Sequence, residues 1–388
     1  MKKLSRDVLI VGGGIAGLWL QQRLHRAGYH TLLVEAEGLG GKQTSHSQGI
    51  IHGGTKYTLQ GMLTPASQAI AGMPDRWLQA LDTGAEVPLQ SARRLSPAHY
   101  MWSTEAVSSK LSGFLASRAL RGRVGPVDAA ERPPIFQHEQ FRGHLYRLHE
   151  FVLEVPTVVE ALRLPGLQVQ ARAGDSMCYR AGGWEFPAHD LRVEARRTVL
   201  TAGEGTEALL TLLGLEVPMQ RRPLQMVMVK HRTPLALFAH CVGASSTPLL
   251  TVTTHPHPDG STVWYLGGQL SELGVERSEA EQLREAQSLV QTLLPWVKLE
   301  SPSWATLRIQ RAEPLQAGFL RPDGVFVKAL DPFLVCWPTK LALAPALSDE
   351  VLRLLPPPSG RPGEVAEREP LLSVLNPPPV ARPVWEQL

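Results

Sequence analysis

Val8 to Val11 is an apolar run with no polar alternation, bounded by Asp7 on one side and three glycines on the other. A parallel strand covered on both faces requires that pattern. After the glycines Ile15, Leu18, Trp19 and Leu24 recur at helical spacing, and Gly28 suits a helix end. His30 to Val34 is a second apolar run, closing on Glu35. The opening therefore reads strand, tight turn, helix, turn, strand.

The same grammar returns at 195–215, "ARRTVLTAGEGTEALLTLLGL". Between the two, 73–81 and 106–120 have amphipathic helical spacing, and 152–174 reads as a helix leading to a strand. From 221 to 270 apolar and β-branched runs alternate with Pro/Gly turns, which predicts an antiparallel sheet. A charged amphipathic helix follows at 277–294, then a turn, two strands and a last helix ending near Leu355. The pattern predicts an α/β chain, α+β overall, with a Rossmann-like dinucleotide-binding unit and a second, antiparallel-sheet unit that carries substrate. The expected binding unit is discontinuous (1–75, 146–215, 320–355), with 76–145 and 216–319 on the substrate side. Nine of the last 33 residues are proline, so 356–388 is expected to be a semi-extended wrap or loose end.

Composition narrows the function classes. Of the 388 residues 43% are hydrophobic and 19% charged, and the net charge is only +3, which argues against a nucleic-acid partner. Cys178, Cys241 and Cys336 are far apart with no CxxC, so neither a disulfide framework nor a metal site is expected. No apolar stretch approaches the roughly 18–20 residues that span a bilayer. A cytoplasmic protein follows as the default, with peripheral membrane contact left open.

Gly12, Gly14 and Gly17 form G-x-G-x-x-G between the first strand and helix. The first permits the tight turn, the second lets backbone approach a pyrophosphate, and the third lets helix and strand pack closely. Ile15 and Ala16 then lie at a helix N-terminus whose free N–H groups suit phosphate oxygens. Glu35, followed by Ala36, is placed to accept from ribose hydroxyls. The next segment, "KQTSHSQGIIHGGTKY" (42–57), is polar and then glycine-rich. Thr44, Ser45, His46 and Ser47 suit ribityl or pyrophosphate groups, and Gly49, Ile51, His52 and Gly53 suit a flat ring.

This arrangement resembles the D-amino-acid oxidase superfamily of FAD enzymes. "TSHSQGIIHGGTKY" is similar to the corresponding segments of FAD-dependent glycerol-3-phosphate dehydrogenases and L-2-hydroxyglutarate dehydrogenases. "PTKLALAP" (338–345) resembles the G-G-K-L-T-T loop of the former, with Pro338 and Thr339 in place of the paired glycines and Leu343 in place of the downstream threonine. The resemblance implies FAD as cofactor and places Thr339, Lys340 and Leu341 by the flavin's pyrimidine edge. It adds Ala202 and Gly203, from the second nucleotide-fold segment, to the cofactor contacts. Oxidation of a C–H beside a hydroxyl or amine requires hydride transfer to flavin N5 and loss of an O–H or N–H proton. His52 is the expected base, Lys340 the cation near N1/C2=O, and Arg311, then Arg308, the fork for an anionic substrate. His46 fits the H-x-x-G spacing of relatives with covalent flavin, although a non-covalent cofactor is expected. The implied activity is dehydrogenation or oxidation of a small 2-hydroxy acid, with oxygen, a quinone or a protein as electron acceptor. Amino-acid or amine oxidation, an RNA-modifying flavoprotein and a structural flavin remain as alternatives.

Overall fold

The computed structural model describes residues 1–54, 70–103, 124–243, 245, 247–319, 322, 324–361 and 370–388. The helix expected at 106–120 and residues 55–57 of the polar segment lie outside the described residues.

β1 (Lys2–Val11), α1 (Ile15–Arg26) and β2 (Thr31–Glu35) follow the opening grammar. β1 pairs in parallel with β2 and with the strand Leu191–Leu200, which in turn pairs in parallel with Phe333–Trp337. β2 carries Gln168–Gln170 on its other side, also parallel. Alternation along β1 explains the unbroken apolar run. Val8 and Ile10 enter a core shared with α1, while Leu9 and Val11 enter a second core on the other face. Each face is covered, so the run from Val8 to Val11 is apolar on both sides.

The second large sheet runs in the order Val124–Pro126, Leu145–Leu148, His99–Ser103, Ala239–Val242, Leu250–Pro256, Thr262–Gly267, Met219–His231, Ser303–Pro314, reading from one edge to the other. Its pairings are antiparallel, as the Pro/Gly-punctuated runs predict, apart from the parallel pair of Ala239–Val242 with His99–Ser103. A parallel neighbour needs a long crossover, and local periodicity carries no trace of one. Ile50–Ile51, Phe151–Leu153 and Arg94–Ser96 make a small third sheet.

Two segments sit elsewhere than their expected unit. The helix Met73–Thr83, expected largely on the substrate side, packs on α1: its Trp77 ring lies 4.5 Å from Trp19 and donates to Ala342 O. Leu145–Leu148, expected mostly with the binding unit, is a strand of the second sheet. The described tail is a wrap and not a loose end. Leu372 and Leu375 enter the core beneath the first sheet, Ala381 N donates to Leu39 O, and Trp385 is buried against the second. Among the described residues no helix is long and apolar enough to cross a membrane.

Candidate active site

A cavity of about 1620 Å³ lies between the C-terminal ends of the parallel strands and one face of the second sheet. That is larger than a typical single-ligand pocket of roughly 300–1,000 Å³, and gives room for a dinucleotide with a second small molecule. Of the expected cofactor contacts, Gly12, Gly14, Ile15, Ala16, Glu35, Ala36, Thr44, His46, Ser47, Gly49, His52, Ala202, Gly203, Thr339, Lys340 and Leu341 line it.

At its dinucleotide end each glycine has a separate reason. Gly12 has φ +113°, and a Cβ there would lie 2.6 Å from the Thr201 carbonyl carbon. Gly14 lines the cavity, and a Cβ there would meet Thr44 Oγ1. Gly17 does not line the cavity; it lets α1 pass the turn. Glu35 Oε2 accepts from Gly13 N at 2.6 Å and Oε1 from Glu37 N at 2.8 Å, which fixes the carboxylate at the cavity edge. Thr44 Oγ1 accepts from Ile15 N at 3.1 Å, so the polar loop is tied to the helix terminus.

Several expected contacts lie off the cavity wall. Ile51 is fully buried in the core while Ile50 lines the cavity, because adjacent strand residues face opposite ways. Ser45 donates to Lys42 O, and Gly53 N donates to Glu150 Oε1. Arg308 is exposed and donates to the carbonyls of Val275 and Arg277. It stands three residues before Arg311 on one strand, hence on the other face of the sheet. Arg311 lines the cavity opposite Arg222, whose guanidinium donates to both oxygens of buried Glu313 at 2.7 and 2.9 Å.

His52 brings partners that spacing did not reveal. Ile51 pairs with Phe151, so the next residue on one strand meets the preceding residue on the other. His52 Nδ1 lies 3.0 Å from Glu150 Oε2, and His240 Nε2 lies 3.9 Å from the same oxygen. Burial alone would raise the Glu150 carboxyl; the His52 charge, with His240, instead holds it well below the usual carboxylate range. No metal was expected, yet ligand atoms of His52, Glu150 and His240 lie within 4.8 Å of one another. A lone glutamate in the apolar run "LHEFVL" was the available signal for Glu150.

Tyr265 and His255 are buried beside the cavity floor. Gln48 Nε2 donates to Tyr265 O at 2.8 Å, and Tyr265 OH donates to His46 O at 3.0 Å. Burial pushes the His46 imidazole down; Glu204 opposes that shift and Lys42 adds to it. His257 is half-buried in a turn, with Nδ1 2.7 Å from Asp259.

Thr339 is β-branched yet has φ +62°, with its hydroxyl donating to Gly324 O at 2.9 Å. A left-handed β-branched residue costs about 1–3 kcal/mol. Thr339→Gly is expected to raise unfolding free energy by about 1 kcal/mol, read by urea titration of the flavin-loaded protein; an unchanged or lower midpoint would count against strain at this position.

The residues fit FAD: a helix terminus with a cradle that a Cβ at Gly14 would narrow, an anchored acid, and a polar turn across from them. Comparison with known proteins agrees. Residues 7–329 match the family model described as FAD dependent oxidoreductase (DAO). The chain is 50% identical over 396 residues to "Probable FAD-dependent oxidoreductase PA4991" of Pseudomonas aeruginosa, covering 99% of this chain and 98% of the relative. The crystal structure of that protein superposes with a TM-score of 0.84 at 45% identity, over 100% of this chain and 99% of the other. Two more distant structures share the fold. Glycine oxidase from Geobacillus kaustophilus has a TM-score of 0.63 at 15% identity, over 90% of this chain and 94% of the other. FAD-bound L-alpha-glycerophosphate oxidase from Mycoplasma pneumoniae has a TM-score of 0.63 at 16% identity, over 91% and 95%. The chain belongs to the FAD-dependent oxidoreductases of the DAO family.

Proposed function

We propose that this FAD-dependent oxidoreductase oxidises the hydroxyl-bearing carbon of a small anionic 2-hydroxy acid. The carrying observation is His52 on the cavity wall with Nδ1 bound to a buried carboxylate. FAD, when bound, supplies the hydride acceptor. His52 takes the hydroxyl proton through Nε2, the ring nitrogen not engaged by Glu150.

The hydroxyl is favoured over an amine by acidity. An ammonium group can lose its proton in a separate equilibrium before hydride leaves, whereas an alcohol O–H, a far weaker acid, needs a base acting in the same step. The two distant neighbours are named for different substrates, glycine and glycerophosphate, so the fold leaves the choice to the site. Arg311 offers the planar fork that suits a carboxylate, and Lys340 places positive charge on the opposite wall. In this reading the parallel-sheet layer binds the cofactor and the second sheet closes over it. FAD is held without a covalent bond, since the α1 terminus, Glu35 and the 41–47 turn supply polar contacts along the cavity.

Anaerobic mixing of the yellow protein with 2-hydroxy acids, amino acids and polyol phosphates tests this. Bleaching of the visible flavin band by a hydroxy acid is expected, with flavin released to the supernatant on acid precipitation. Bleaching by amino acids alone would sink the substrate assignment, and flavin retained in the pellet would sink the non-covalent one.

A further inference from the structure

We propose that Glu150 is a positioning residue that fixes the working tautomer of His52, keeping the ring proton on Nδ1 and leaving Nε2 as the basic nitrogen. This rests on the reading of His52 as the base. Three observations carry it.

First, the contact is built by the backbone. Ile51 pairs with Phe151, and Glu150's own carbonyl accepts from His99 N at 2.7 Å, so the carboxylate has little freedom to leave. Its side chain is 1% exposed.

Second, both carboxylate oxygens are committed. Oε1 accepts from the buried N–H of Gly53 at 3.1 Å, and Oε2 faces His52 Nδ1 at 3.0 Å. An ionised carboxylate only accepts, so Nδ1 must be the nitrogen that carries hydrogen. A neutral His52 then has its lone pair on Nε2.

Third, a second imidazole backs the same oxygen. His240 Nε2 stands 3.9 Å from Oε2, its Nδ1 is 2.8 Å from Thr251 Oγ1, and its ring lies 4.2 Å from that of His99. Hydrogen bonds from the His240 and His52 rings favour the ionised form of Glu150 despite burial. Once His52 has taken a proton, the imidazolium lies against this carboxylate and no further proton need move.

Glu150→Gln follows from the same geometry. The Gly53 N–H still needs an acceptor, so the amide oxygen takes the Oε1 place and the NH₂ faces His52 Nδ1. Nδ1 then accepts, the proton moves to Nε2, and the base is lost. The opposite amide orientation would set NH₂ against the Gly53 N–H.

The experiment uses the FAD-loaded full chain, with ¹⁵N-labelled histidine and two readouts. In the native protein the His52 signal, assigned by its disappearance in His52→Gln, is expected to be the Nδ1–H tautomer, and in Glu150→Gln the Nε2–H tautomer. Flavin reduction by the substrate found in the panel is expected to slow about 10²–10⁴-fold in Glu150→Gln, with KM changed far less and flavin content retained. A native Nε2–H tautomer overturns the proposal even if the variant fails to fold. A tautomer that inverts without slowing reduction leaves Glu150 in its role and overturns the reading of His52 as base. Histidine signals that shift on adding EDTA to the native protein would assign the cluster to a bound cation and overturn the proposal.

Discussion

Gly17→Ala is expected to purify without flavin and with a sharply lowered melting temperature. A Cβ on Gly17 would lie 2.0 Å from Gly12 O and 2.8 Å from Thr201 Oγ1. Neither atom can give way cheaply. Gly12 O belongs to a turn at φ +113° and already accepts the Thr201 hydroxyl at 2.9 Å. The remaining relief is for α1 to lift from the strand ends, which carries its N-terminal N–H groups away from the cavity. Overpacking of this kind costs about 1–3 kcal/mol or more, and here it falls on the element that would hold the pyrophosphate. Gly14→Ala is the control, because its Cβ would meet only Thr44 Oγ1, at 3.2 Å. Its fold should survive while the cavity narrows. The ratio of visible to ultraviolet absorbance and the melting curve with added FAD check both. Wild-type flavin content in Gly17→Ala would refute the close-packing account.

Acid is expected to destabilise the protein from near neutral pH downward, with His255 a main cause. Its ring is fully buried, with Nε2 2.9 Å from Thr253 Oγ1 and its face 4.0 Å from the Trp385 ring. Tyr265 is a second aromatic neighbour, at 6.3 Å. Burial pushes the His255 imidazole down to about 3. An unfolded histidine titrates near 6.5, so below that pH the unfolded chain binds the proton first while the folded chain stays neutral until about 3. Stability therefore falls as pH drops through this window, by up to about 1.4 kcal/mol per pH unit from this one group. Above about 6.5 His255 adds no pH dependence. Denaturant titrations of the wild type and His255→Phe at pH 7, 6 and 5 separate this from other groups, since the aromatic variant can still stack on Trp385. Parallel slopes in the two proteins would rule out a buried neutral His255.

The parts of the site legible in the sequence are those built by near neighbours. The three glycines, Glu35 and the helix start lie within one strand–turn–helix–strand unit, and their roles follow from chemistry that acts over a few residues. His52 was legible as a residue type in a glycine-rich setting. Glu150 and His240 were not, because strand pairing and sheet order bring them there, and neither is encoded in local spacing. Arg308 and Arg311 show an intermediate case. Their odd separation on a strand already forces opposite faces, yet the strand's register against Met219–His231 was needed to say which face meets the cavity. Ile50 and Ile51 differ in the same way. The proline-rich tail left wrap and loose end both open for another reason: composition says how stiff a segment is, but not that Leu372, Leu375 and Trp385 have apolar surfaces waiting for them.

The sheet order has a consequence for how the molecule comes together in time. β1 finds one neighbour, Thr31–Glu35, almost at once, but its other neighbour is Leu191–Leu200, and that strand is completed by Phe333–Trp337. During synthesis the apolar edge of β1 stays unpaired until Leu200 of the 388 residues has been made, and such edges invite association with other chains. The cavity likewise gathers walls from Val11 to Leu341, so an early fragment has no site to offer FAD. Flavin can engage only when distant segments have met, and by binding the assembled state alone it draws the population toward it. Flavin supply during expression should therefore govern how much protein escapes aggregation, separately from any effect on catalysis.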